Sequence, residues 1–263
     1  MAETDPVTLR HRALEQIAMA ALQAARVVME SGARAQVVHQ CAEMVARGLG
    51  AEGVAFRSGY ASLAITVSTG SNTITRMVDV GRHGVNHRLD QAIRRLAVRV
   101  AAGGMTPGET VAEIERLRQS TPRHPAWLVA LAVGLGCAAF GRLLGVDWPG
   151  FAAAFAAASI GQWLRHHLLA RRVNPFVVAA LIAFVAASLG GAGARALDST
   201  TEGLALMASV LLLVPGVPAL NAQIDIMEGS PTVGSARAVT VLMVMVFVTV
   251  GVGLAQVLVG HLP

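Results

Sequence analysis

Asn221 and Asp225 lie four residues apart in the run A-S-V-L-L-L-V-P-G-V-P-A-L-N-A-Q-I-D, just after Pro215-Gly216-Val217-Pro218. On a helix, that spacing puts an amide and a carboxylate on one face. The amide can bind a substrate amino or hydroxyl group. The carboxylate can hold an ammonium group, or take and release a coupling proton where desolvation raises its pKa. The two prolines lack an N–H and interrupt an apolar run long enough to enter a bilayer. An unpaired backbone group in hydrocarbon costs several kcal/mol, so such a break survives only inside protein or beside a polar cavity. Broken helices flanked by polar side chains are a recurrent substrate site in transporters. Pro215, Gly216, Pro218, Asn221 and Asp225 are therefore candidate substrate-binding residues, and Asp225 is the proton-coupling candidate. Ser159 and Gln162, three apart on another apolar stretch, join them as groups able to face the same cavity; the plainer alternative is helix–helix hydrogen bonding.

Other chemistry is weakly represented. Arg165, His166 and His167 read as interfacial anchors, with Arg165 able to meet a substrate carboxylate. His83 and His87 have the i,i+4 spacing of a metal pair, but Gly81 and Gly84 mark a loop and no Cys stands near, so no metal and no other cofactor is expected. There is no P-loop, Rossmann fingerprint, G-x-S-x-G elbow or HExxH, and hence no catalytic residue is assigned. Gly134-Leu-Gly136 and Gly251-Val-Gly253 lie in apolar stretches and read as close-packing devices. Cys41 and Cys137 show no ligand spacing and are expected to be reduced, structural thiols.

The elements that position these residues follow from composition. The chain is 54% hydrophobic and 14% charged, against about 25% charged in soluble domains. Only five acidic residues and six arginines lie after His124. A polar domain over 1–122 and an apolar domain over 123–263 follow. All 21 basic residues are arginine, which is read as a compositional bias; with no aromatic-interleaved basic stretch, nucleic acid is not an expected partner. The start Met-Ala-Glu-Thr-Asp lacks the basic and apolar regions of a cleaved signal.

In the first domain, helical periodicity runs from Val7 to about Met29 and on to about Arg47. Strands are expected at Gly53–Phe56, Ser62–Ser68 and Thr73–Val80, with a hairpin turn at Thr69–Asn72. Helices return at about Leu89–Ala102 and Glu109–Gln119. Five apolar stretches follow at about 126–145, 150–169, 175–194, 203–226 and 236–260, each near the ~20 residues that cross a bilayer. The second is the weakest, being alanine-rich. The fold class is thus a membrane protein: a cytoplasmic α+β domain followed by an all-α bundle of about five transmembrane helices. Arg123, Arg165, Arg171, Arg172 and Arg237 cluster on one side of those stretches, which places that side and the N-terminal domain in the cytoplasm and Pro263 outside. The localisation expected is the inner, cytoplasmic membrane.

Pro125–Phe140, Ala208–Asp225, Glu30-Ser31-Gly32-Ala33 and Gly84-Val85-Asn86 together resemble the threonine/serine exporter (ThrE) family, and within it the YjjP-like branch, in which the transporter is split over two chains. The resemblance covers nearly the whole chain. It implies a gradient-driven exporter of a small polar metabolite: threonine and serine in one branch, dicarboxylates such as succinate in the other. It also implies a smaller YjjB-like membrane subunit as partner. Asp225 suits an amino-acid ammonium group, whereas closeness to the split branch suits a dicarboxylate. A membrane-anchored, metabolite-sensing regulatory subunit is the rival reading.

Overall fold

The computed structural model describes residues 6–122 and 124–260. Arg123 and Pro263, which entered the reading of orientation, lie outside the described residues, as does the Met1–Asp5 start. The chain forms two compact units. One is Met1–Pro122 with Val217–Ala238; the other is Arg123–Gly216 with Val239–Pro263. Residues 217–238 group with the polar part of the chain.

The first unit opens with α1 (Pro6–Glu30) and α2 (Ala35–Gly48). An antiparallel meander follows: β1 (Gly53–Ser58), β2 (Ser62–Thr69) and β3 (Asn72–Asp79). Thr69 pairs with Asn72, leaving Gly70-Ser71 as a two-residue hairpin loop, and Gly70 takes the positive φ (57°) such turns require. β2 is the central strand. Its alternate residues Leu63, Ile65 and Val67 are fully buried, as a strand with one face on a helical layer demands. They join Leu22, Val28 and Met29 of α1 and Val38 and Val45 of α2 in a single core. α3 (His87–Ala101) and α4 (Pro107–Ser120) close the αα-βββ-αα order. The N-terminus of α4 is fixed by a reciprocal capping box between Thr106 and Glu109. α9 (Gly216–Met227) and the start of α10 (Pro231–Gly260) complete this unit, and Val233 of α10 enters the same core.

The second unit holds α5 (Ala126–Leu143), α6 (Trp148–Ala170), α7 (Pro175–Ala196), α8 (Glu202–Val210), a 3₁₀ turn at Leu211–Leu213 and the rest of α10. Small residues set its packing. Ala153, Ala154, Ala157 and Ala158 are buried along α6, and Ala179, Ala183, Ala186 and Ala187 along α7. Gly134 lets α5 approach the Ser159 hydroxyl, and Gly251 lets α10 approach the Ala180 carbonyl. Their neighbours Gly136 and Gly253 face open space, so one glycine of each pair is the packing device. At one end, Asp147 caps α6 through Gly150 N–H (2.8 Å) and also accepts from the Ser199 hydroxyl (2.6 Å) and Thr200 N–H (2.7 Å). These bonds hold its carboxyl well below the usual range, and they tie the α5–α6 loop to the α7–α8 loop.

Among the described residues, three helices are long and apolar enough to cross a membrane, α5, α7 and α10, or four if the interrupted pair Glu202–Leu213 and Gly216–Met227 is one broken span. α6 is 23 residues long but falls short in hydropathy: its alanines are only mildly apolar, and Gln162, Arg165, His166 and His167 load its C-terminal half. The stretch 203–226 is interrupted where the Pro215–Pro218 run predicts. Val214 is extended (φ −64°, ψ 117°) between the 3₁₀ turn and α9, because Pro215 cannot continue the hydrogen-bond ladder.

The glycine asymmetry yields a paired prediction. A Cβ at Gly134 would overlap Ser159, whereas one at Gly136 would meet nothing. Gly134→Ala is expected to lower the thermal midpoint of the purified protein by several degrees, with Gly136→Ala unchanged. Equal midpoints for the two variants would contradict this packing.

Candidate functional site

The start of α2 lacks its own cap. Arg34 occupies the N-cap position, and its side chain makes no capping bond. The first N–H groups of a helix need an acceptor, and here one comes from far along the chain: Asp225 Oδ1 accepts from Ala35 N–H at 2.8 Å. Asp225 is fully buried, and its second oxygen accepts from Arg237 Nη1 at 2.7 Å. Arg237, itself only 5% exposed, also donates to the Ala33 carbonyl (2.7 Å) and lies against Met29 Sδ. Asn221, one turn before Asp225, donates to the Gly32 carbonyl at 2.8 Å. At the rim, Arg34 pairs with Glu228. Arg237, expected in a loop, is thus inside α10 and buried.

The turn that receives these groups is sharply specified. Gly32 has φ 93°, and a Cβ there would stand 2.5 Å from the Gly84 carbonyl oxygen. Gly84 N–H donates to the Glu30 carbonyl and Asn86 N–H to the Ser31 carbonyl. Asn86 then caps α3 through Leu89 N–H. So the segments 30–33, 84–86 and 221–237 converge on one junction in the first unit.

Beside it opens a cavity of about 360 Å³, lined by Ser31, Arg34, His87, Asp90, Arg94 and Asn221 among others. Asp90 pairs with Arg94 at 3.7 Å, and its Oδ1 is buried without a hydrogen-bond partner among the described residues. Burial raises the Asp90 carboxyl above its ordinary value, with the charges of Arg94 and His87 pulling the other way. Beneath it, burial pushes the Cys41 thiol up to about 12, which makes it an inert core group. His83 does not form a metal pair with His87: its Nε2 meets the Tyr60 carbonyl (2.9 Å) and its ring stacks on Tyr60. Among the described residues no group of three metal-ligating side chains occurs.

The remaining candidates lie in the second unit. Ser159 Oγ and Gln162 Oε1 on α6 are buried and have no hydrogen-bond partner among the described residues. Arg165, one turn further on, faces no carboxylate there within ion-pair distance among the described residues. Pro215 ends the 3₁₀ segment, and Gly216, which starts α9, borders open space. The structure thus divides the candidates between the units, with Pro218, Asn221 and Asp225 in the first and Ser159, Gln162, Pro215 and Gly216 in the second. Sequence reasoning missed Arg237 as the partner of Asp225, and Arg34, Arg94, His87 and Asp90 as cavity residues. The one available signal was α2 itself, a helix start with no Ser, Thr, Asp or Asn at its cap.

Residues 19–259 match the family model described as "Putative threonine/serine exporter". The chain belongs to this exporter family. It is 29% identical over 241 residues to the "Probable succinate transporter subunit YjjP" of Escherichia coli (strain K12), covering 91% of this chain and 93% of that one. The protein of the same name from Klebsiella aerogenes is 28% identical, covering 91% and 92%. An uncharacterized protein of Haemophilus influenzae is 26% identical over 145 residues, 53% of this chain and 46% of that one. No solved structure matches. The family is one of transporters, and its YjjP members are named as subunits.

Two predictions follow from the geometry. Asp225→Asn leaves the buried Arg237 without its counter-charge, a change that costs about 3–5 kcal/mol. It is expected to expose 217–238 to limited proteolysis; an unchanged digestion pattern would contradict the junction. For Asp90, burial raises its pKa above 3.8, so the folded state keeps this proton to a higher pH than the unfolded chain. Its stabilising contribution is present at low pH and is lost as pH rises through the raised value. Relative to Asp90→Asn, the wild type should lose thermal stability as pH rises above about 4. A constant difference between the two proteins would count against a desolvated Asp90.

Proposed function

We propose that this chain is the large subunit of a two-component secondary exporter that moves a small carboxylate-bearing metabolite out of the cell along a polar line on α6. The observation that carries this reading is that Ser159 Oγ and Gln162 Oε1, one turn apart on α6, are buried with no hydrogen-bond partner among the described residues. A buried polar atom without a partner costs about 1–3 kcal/mol, a cost accounted for if a polar substrate visits the site. Arg165 would take a substrate carboxylate, with the Ser159 hydroxyl and the Gln162 amide N–H groups as further donors to it. The break at Pro215–Gly216 supplies the irregular backbone that membrane-embedded sites use.

A succinate-type dicarboxylate is the favoured substrate. Asp225, the group suited to an amino-acid ammonium, is already engaged by Arg237 and Ala35, and the relatives at 28–29% identity carry a succinate transporter name. Threonine and serine are the alternative, following the description of the family. The partner is a smaller YjjB-like membrane subunit. The first unit would face the cytoplasm and the C-terminus the outside of the inner membrane, following the arginine asymmetry. From Val239 to Leu258 α10 has about the ~20 residues a crossing needs, so 217–238 can stay with the first unit.

Ser159→Ala with Gln162→Ala is the test, because neither change touches the Asp225 junction. With both subunits present, efflux of labelled succinate is expected to fall at least tenfold at unchanged membrane abundance. Wild-type efflux by the double variant would remove the α6 site.

A further inference from the structure

The cavity of about 360 Å³ in the first unit is unaccounted for by a transport path along α6. Its size lies in the ~300–1,000 Å³ range of small-molecule pockets. Three side chains of α3, His87, Asp90 and Arg94, project into it from one helical face, spaced i, i+3 and i+7. Opposite stand Val217, Leu220, Asn221 and Ile224, one face of α9. Arg34 and Ser31 come from the turn between α1 and α2.

Two of these cations keep donors to spare. Arg94 meets Asp90 only at 3.7 Å and is half exposed, well beyond the ~2.7–2.9 Å of a charge-assisted hydrogen bond. Arg34 commits one nitrogen to Glu228, out of five guanidinium N–H groups. The wall therefore presents planar, forked donors suited to a carboxylate. Asp90 and Asn221 add acceptors for a hydroxyl or ammonium group on the same molecule.

We infer that this cavity is a second ligand site, which binds the carboxylate of a small metabolite between α3 and α9. The inference takes its probes from the proposed substrate class, but it needs neither transport nor the partner subunit. A ligand there touches α9 on one side and the 31–34 turn on the other, so its occupancy strengthens the hold of the first unit on α9. α9 begins at the break after Pro215, which makes this a site through which metabolite level can bias the broken helix.

Equilibrium binding to the purified full-length chain in detergent micelles tests this, with labelled succinate, threonine and sulfate as separate probes. Saturable binding of succinate or threonine is expected, with the stronger of the two naming the ligand class. Arg94→Gln should weaken that binding at least tenfold. Arg95→Gln, next in sequence but outside the cavity, should leave it unchanged, and both variants should keep a cooperative thermal transition without ligand. Binding must also persist in Ser159→Ala/Gln162→Ala, which separates this site from the one on α6. Binding of sulfate alone, binding of no probe, or equal affinities in Arg94→Gln and Arg95→Gln would overturn the inference.

Discussion

A buried carboxylate holds the first unit together. Asp225 sits at zero exposure and is tolerable there because three favourable terms meet it: the Arg237 guanidinium, the Ala35 N–H and the positive end of α2. Taking either charge away alone leaves the other stranded. That mutual dependence fixes α9 and the first two turns of α10 against the 31–35 turn. It also explains why an apolar run long enough for a bilayer stops being one helix. Its second half is built to be received by the N-terminal domain, and Pro215 provides the change of course.

The two units treat their polar groups differently. In the first unit, polar groups are nearly all satisfied by one another, and the cavity beside the junction is the exception. In the second, small residues bring helices close, and Ser159, Gln162 and Ser188 hold buried oxygens without a partner among the described residues. A transporter needs both properties. Rigid, small-residue packing lets helices move as bodies, while a few unsatisfied polar atoms give a solute a reason to pause. The Asp147 network adds a third element, joining the two loops opposite the α6–α7 turn into one end of the bundle.

Much of the fold was legible in the sequence. The αα-βββ-αα order, the Gly70 turn and the Thr106 cap follow from local signals, and the strands and helices lie within a few residues of where periodicity puts them. The bundle was less legible. Hydropathy marked 203–226 and its prolines marked the break, but neither shows that 217–227 groups with the N-terminal unit. Alanine gave α6 the look of a span without the hydropathy of one. The partners of Asp225 were beyond reach, since Ala35 is 190 positions away and no local rule joins them. Arg237 was read from its charge alone, as a loop residue. Gly32 and Gly84 were noted as motif residues, but only three dimensions show that one makes room for the other.

The most direct test of the account is efflux of labelled succinate, threonine and serine from cells lacking related exporters, measured with this chain alone, with a YjjB-like chain alone and with both. The account predicts efflux of one substrate class only when both chains are present. Efflux by this chain alone, or none of any of the three from cells with both chains confirmed in the membrane, would contradict it.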